Sequence, residues 1–285
     1  MGTPAISLAP AMQPDATDPS KGKITLIGFC GYARSGKDTA AEILCRRNHS
    51  YMRVAFADRL RKLAMELDAP LGEGVHYNDL PTTDPDRQAL CQRLTSLTLA
   101  ILREIDVNDC PSFMWADELA KTLNLVVRPT GEHVTFGEAV REFGYEGAKA
   151  RYPKYIRPHL VALGDCLRTC VYHAIWLESC IPRTLEAFQK KYAGVTGVVV
   201  TDVRYENEGN AIRRLGGWVW YMDRPGVLAA NPTEGHSIPF VNVHTVVNNS
   251  GDILALTTEM MRVFNKYILG GHADHAQVRA VGECK

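Results

Sequence analysis

The run Gly31-Tyr32-Ala33-Arg34-Ser35-Gly36-Lys37-Asp38-Thr39 carries the sharpest chemical signal in the sequence. It reads G-x-x-x-x-G-K, with an apolar segment before it and a helical pattern after it. That is the context of a phosphate-binding loop. Gly31 and Gly36 let the backbone curl until several N–H groups, Ser35 among them, point at one anion. The start of the following helix adds partial positive charge. Lys37 supplies a mobile cation to β- and γ-phosphates, where charge migrates during transfer. The general pattern has Ser or Thr after the lysine to hold Mg²⁺, whereas this chain has Asp38. That carboxylate can take over as a metal ligand, directly or through water, and Thr39 can offer its hydroxyl to the phosphates. Arg34 has the reach for the transferring phosphate or for an acceptor phosphate.

A second segment, Val200-Thr201-Asp202-Val203-Arg204, is an apolar run ending in Asp. At the carboxyl end of a strand beside the loop, Asp202 can hold Mg²⁺; standing alone, it would read as a helix cap or turn residue. Arg204 projects to the same side as Asp202 if the chain is still extended. Glu208 lies one helical turn on and either orients Arg204 or answers the dipole of a first helical turn. Arg157 and Arg168 are eleven residues apart, with Gly164 between them. On a continuous helix that is about three turns, so the two share a face and can clamp an acceptor phosphate. Solvated surface arginines are the plainer reading. Trp176 can stack on a base or fill the core.

These residues must be positioned by regular elements. Five apolar segments predict buried strands: Ile24–Cys30, Met52–Phe56, Thr196–Asp202, Trp218–Met222 and His244–Asn248. Val198-Val199-Val200 lacks polar alternation, as expected of a strand covered on both faces. Helical patterns follow at 37–47, 206–215 and 251–268. Alternation of strand and helix predicts an α/β fold with a mostly parallel sheet. Residues 57–195 show helical spacing, as in Leu90, Leu94, Leu97, Ile101 and Ile105, and no convincing strand. The expected architecture is a P-loop NTPase-type three-layer fold, with a five-stranded parallel sheet and a large helical insertion for the acceptor. The domain covers 23–270, between flexible tails at 1–22 and 271–285.

The 285 residues balance 32 Lys+Arg against 32 Asp+Glu, and 46% are hydrophobic. That composition excludes whole-chain disorder and argues against coating nucleic acid through bulk charge. No apolar run approaches the roughly 18–20 residues of a membrane span. The first twenty residues lack the basic start and apolar stretch of a secretory signal. The eight cysteines include no Cys-x-x-Cys pair and read as reduced, mostly buried thiols. His272 and His275 read as solvated tail residues.

Taken together, the segments resemble the phage-type deoxynucleoside monophosphate kinases, within the P-loop kinases. The resemblance rests on Arg34–Thr39, on Phe56-Ala57-Asp58-Arg59-Leu60, and on Arg157–Trp176 around Leu163-Gly164-Asp165. It continues through Asp202–Glu208 and Val246-Val247-Asn248-Asn249-Ser250-Gly251. It spans residues 24–268, with 69–150 matching weakly. The resemblance implies ATP in the loop, with Asn249 and Gly251 near the adenine. Asp38, Thr39 and Asp202 are the expected Mg²⁺ ligands on the loop and strand-end reading above. Arg34, Asp58, Arg157, Gly164, Asp165, Arg168, Trp176, Arg204 and Glu208 would line the acceptor site. Lys37, Arg34, Asp202 and Arg204 would carry the transfer. The family often has Thr where this chain has Asp165, which bears on acceptor specificity. It also tends to carry Ser-Glu after a His where this chain has His236-Ser237-Ile238, so those read as loop residues.

The implied activity is transfer of the ATP γ-phosphoryl group to a deoxynucleoside 5′-monophosphate. It would use ATP and Mg²⁺ in the cytoplasm (a host's, if phage-encoded). The partners would be small nucleotides, with neither nucleic acid nor membrane involved, and a homodimer is compatible. Alternatives are a small-metabolite kinase of the phosphomevalonate or dephospho-coenzyme A type, a nucleotide-gated binding module, and a nucleic-acid 5′-end kinase. The balanced charge speaks against the last.

Overall fold

The computed structural model describes residues 24–108, 112–229, 235, 241–270 and 279–280. His236, Ser237, His272, His275, Cys110, Cys284 and the N-terminal segment 1–22 lie outside the described residues.

The chain opens with β1 (Thr25–Cys30), α1 (Lys37–Arg47), β2 (Tyr51–Val54) and α2 (Phe56–Leu67). The insertion follows. It contains β3 (Pro70–Leu71), β4 (Gly74–His76), α3 (Pro85–Glu104), α4 (Ser112–Leu123), β5 (Val126–Pro129) and β6 (Val134–Thr135). It continues with α5 (Phe136–Arg151), α6 (Ile156–Cys166), α7 (Ile175–Cys180) and α8 (Leu185–Lys191). The chain then returns through β7 (Gly197–Val203), α9 (Glu206–Arg214), β8 (Trp218–Asp223), β9 (Asn242–Val243), β10 (Thr245–Asn248), α10 (Ile253–Phe264) and β11 (Arg279–Ala280).

Five strands form the parallel sheet expected from the sequence, in the order β10-β8-β1-β7-β2. Burial explains the absence of polar alternation. Ile27, Phe29, Val199 and Trp220 pack on one face with Ala40, Ala41 and Leu44 of α1 and Met260 of α10. Leu26, Cys30, Val198 and Val200 face the other way, towards Ile212 of α9 and Phe188 of α8. Each strand therefore feeds two cores, and helices cover both faces of the sheet.

The insertion has its own core, in which Leu63 of α2 meets Leu94 and Ile101 of α3, Leu119 of α4, Phe136 of α5 and Leu163 of α6. The apolar stripe on α3 is thus packing, as its spacing predicts. Three details differ from the expectation. Phe56 opens α2 instead of closing the second strand. The insertion carries two antiparallel pairs, β3 with β6 and β4 with β5. Strands of two to four residues are too short to show a period of two. Arg279 and Ala280, expected in a free tail, pair with β9.

No described helix is long and apolar enough to cross a membrane. Cys30, Cys166 and Cys180 are buried thiols, and burial pushes the Cys30 and Cys180 thiols far up.

Candidate active site

The loop between β1 and α1 is shaped by two glycines at positive φ. Gly31 has φ 132°, and a Cβ there would meet the Met222 carbonyl oxygen at 2.7 Å. Gly36 has φ 99° and caps α1; a Cβ there would run into the Asn249 amide. That amide is buried and donates to the Ser35 carbonyl at 2.8 Å. Asn249 N–H donates in turn to the Asp223 carbonyl at 2.7 Å. The loop is therefore fastened to the ends of β8 and β10. Lys37 Nζ donates to the Gly31 and Tyr32 carbonyls, each at 2.6 Å, so its ammonium lies across the loop. Arg34 is exposed and sits at φ 67°, a left-handed conformation that side chains rarely adopt. Its carbonyl accepts from Arg224 Nη1 at 3.3 Å.

Strand order sets β7 directly beside β1, which brings Asp202 to the same edge of the sheet as the loop. Both carboxylate oxygens are engaged: Oδ1 accepts from Phe56 N–H at 2.8 Å and Oδ2 from Ala57 N–H at 3.1 Å. Asp202 thus caps α2 across 146 residues of sequence. Burial raises its pKa, while those two N–H groups, Arg204 and Arg61 pull the other way. Arg204 is exposed at the end of β7.

Glu208 Oε2 accepts from the backbone N–H of Arg204 at 2.7 Å and of Tyr205 at 3.1 Å. It orients the Arg204 backbone and caps α9, instead of gripping the guanidinium. Burial, and then the charge of Asp202, push Glu208 up to about 7 from an ordinary 4.5. A carboxyl raised in the folded state contributes stability that is fully present below the unfolded pKa and is lost as pH rises through the folded one. Glu208→Gln keeps an acceptor oxygen for both N–H groups and removes the charge. Its melting temperature is expected to gain on the parent steadily between pH 4.5 and 7. A difference that does not change with pH would remove this role for burial.

The insertion reaches the same edge through α2 and the end of α6. Asp58 Oδ2 accepts from Ala55 N–H at 2.7 Å, and Oδ1 accepts from Arg61 Nη1 at 3.1 Å. Arg61 stacks 4.4 Å from the Tyr145 ring centre, and its buried Nε has no hydrogen-bond partner among the described residues. Arg168 pairs with Asp165 and also meets the Tyr205 side chain, next to Arg204. Arg157 is exposed on α6. Arg157 lies on the regular turns of α6, and Arg168 lies just past its end. A wider π-turn over Leu167–Val171 follows α6, with Arg168 in its first part.

Gly164 lies inside α6, without breaking it, and a Cβ there would crowd Leu60 at 3.1 Å. Its carbonyl accepts from Trp176 Nε1 at 3.0 Å. Trp176 is buried, so it fastens α7 to α6 instead of offering an open stacking surface. Gly251 precedes α10, where a Cβ would press on Ala255 at 2.6 Å.

Asp38 lies in the first turn of α1, and Arg53 of β2 binds it. Arg53 and Arg61 were not expected at the site. Each is a single arginine outside any motif; helical spacing within α2 brings Arg61 to Asp58, whereas only the fold brings Arg53 to Asp38. Among the described residues no three His, Cys, Asp or Glu side chains converge as a ready-made metal cage. The oxygens of Asp38, Thr39 and Asp202 are nonetheless hard donors of the kind Mg²⁺ takes when phosphates and water complete its shell.

The geometry can hold a polyphosphate in the loop and a second anion between the β7 edge and the insertion. The family model for deoxynucleotide monophosphate kinase matches residues 25–260. No curated protein matches the chain.

Proposed function

The chain belongs to the deoxynucleotide monophosphate kinase family, and from that premise we propose that it moves the γ-phosphoryl group of ATP to a deoxynucleoside 5′-monophosphate, giving the diphosphate. The observation that carries this reading is the meeting of two anion-binding elements at one sheet edge. Lys37 lies across the β1 loop, and Arg168 of the insertion touches Tyr205 beside Arg204 at the end of β7. A protein that only bound ATP would need the first and not the second.

An acceptor phosphate already carries an anionic oxygen, so no strong general base is required. Catalysis then comes from positioning and charge neutralisation. Lys37 leaves the Gly31 and Tyr32 carbonyls for the β- and γ-phosphates. Arg34 and Arg204 take charge on the transferring and acceptor groups, with Arg168, Arg157 and Asp58 on the acceptor side. Asp165 and Gly164 bound that side of the site. Asp38, Thr39 and Asp202 would hold Mg²⁺, with the Asp202 oxygens held in place by the N–H groups of Phe56 and Ala57. The metal, when bound, neutralises charge between the β- and γ-phosphates. Asn249 and Gly251 set the wall beside the adenine. Closure of the insertion over the sheet edge excludes water, which would otherwise take the phosphoryl group. Free nucleotides place the reaction in a cytoplasm.

The test is an ADP-release assay with ATP, Mg²⁺ and every common ribo- and deoxynucleoside monophosphate, together with phosphomevalonate and dephospho-coenzyme A. At least one deoxynucleotide should stimulate release and appear as its diphosphate. Stimulation by a metabolite alone, or by nothing, rejects the proposal.

A further inference from the structure

We propose that Arg53 is a positioning residue: it holds the Asp38 carboxylate by one oxygen and thereby presents the other to the metal of the metal–nucleotide. This rests on the reading of Asp38 as a metal ligand given above.

The hydroxyl usually found after the loop lysine is short and has few orientations. Asp38 is longer, exposed and carries two equivalent oxygens, so on its own it would sample several rotamers. The structure restrains it asymmetrically. Arg53 Nε at 3.1 Å and Nη2 at 2.7 Å both donate to Oδ1, while Oδ2 has no hydrogen-bond partner among the described residues. A bidentate clamp for stability would engage both oxygens, whereas this one leaves a hard donor over.

Strand geometry places the arginine. Arg53 lies opposite Val199 in the β2–β7 register, and Val199 packs on the face covered by α1. Alternation along β2 therefore sends Arg53 towards α1, while Val54 packs on the opposite face. Arg53 also lies in the field of Asp58 and Asp202. Burial would weaken its charge, but the bond to Asp38 and those two carboxylates hold it firmly protonated. Without the guanidinium, three carboxylates would repel one another and Asp38 would turn to solvent.

Calorimetry of ADP binding to the full chain, with Mg²⁺ and in EDTA, reads this directly. The proteins are the parent, Asp38→Asn, Arg53→Ala, Arg53→Lys and the Asp38→Asn/Arg53→Ala pair, with circular dichroism to confirm folding. Mg²⁺ should tighten ADP binding to the parent. Asp38→Asn and Arg53→Ala should each cut that gain about tenfold, which is about 1.4 kcal/mol. The double variant should lose no more than Asp38→Asn, and Arg53→Lys should recover part of the gain. Affinity in EDTA should stay within about twofold throughout. If Asp38→Asn keeps the gain, Asp38 is no metal ligand and the role of Arg53 goes with it. If Asp38→Asn loses the gain while Arg53→Ala keeps it, the metal reading stands and the inference fails. Equal weakening with and without Mg²⁺, or additive losses, also overturns it.

Discussion

Lys37→Ala should lower turnover by about 10²–10³-fold and leave the fold intact. Removing one preorganised charge from a transfer site typically costs that much. The ammonium bonds the Gly31 and Tyr32 carbonyls at 2.6 Å and approaches Ser35 Oγ at 3.5 Å, all within its own loop. Truncation leaves two carbonyls to water, a cost of about 1 kcal/mol. The residues that seat α1, Ala40, Ala41 and Leu44, are untouched. The loop shape also survives, because Asn249 and the φ values of Gly31 and Gly36 hold it. Steady-state rates beside a thermal melt check both halves. Turnover near the parent's would remove Lys37 from the chemistry. A collapse of the melting temperature would mean that Lys37 holds the loop together.

Arg34→Gly should separate stability from activity. An L-residue at φ 67° carries backbone strain of roughly 1–2 kcal/mol, and glycine carries almost none. Glycine also loses more entropy on folding, so the variant should be between unchanged and about 1 kcal/mol more stable. The bond from Arg224 is made to the Arg34 carbonyl and survives the change. The specificity constant kcat/KM for the acceptor should nevertheless fall by about 10²-fold, as for a lost charge-assisted contact to a phosphate. ADP affinity should change little. A protein that keeps a strained arginine where glycine fits better is using the side chain. If only ATP affinity changed, Arg34 would belong to the donor side. If stability fell, the strain argument would be wrong.

Much of this site was legible because its signals are local. The loop announces itself in nine consecutive residues, and Asp202 ends an apolar run whose lack of alternation fits a strand covered on both faces. Trp176 was ambiguous because a ring that stacks on a base and one that fills a core share the same sequence context. Its burial, with Nε1 on the Gly164 carbonyl, is a contact between two helices. The spacing of Arg157 and Arg168 was read at a constant pitch, and the wider turn that begins at Leu167 carries no Gly or Pro to mark it.

The sequence by itself determined the five strands of the sheet, though not that β2 lies half-exposed at its edge, together with the curled loop with its lysine, and the family. Glycine placement, apolar runs and short-range spacing are properties of neighbouring residues. Tertiary structure alone decided what each charge does. Asp202 caps a helix that begins 146 residues earlier, Glu208 is raised by burial beside it, and Arg53 grips one oxygen of Asp38 from a strand on the far side of β7. Hydrogen bonds and desolvation depend on distances between atoms that only the folded sheet brings together, so one linear order of the same charges leaves their partners open.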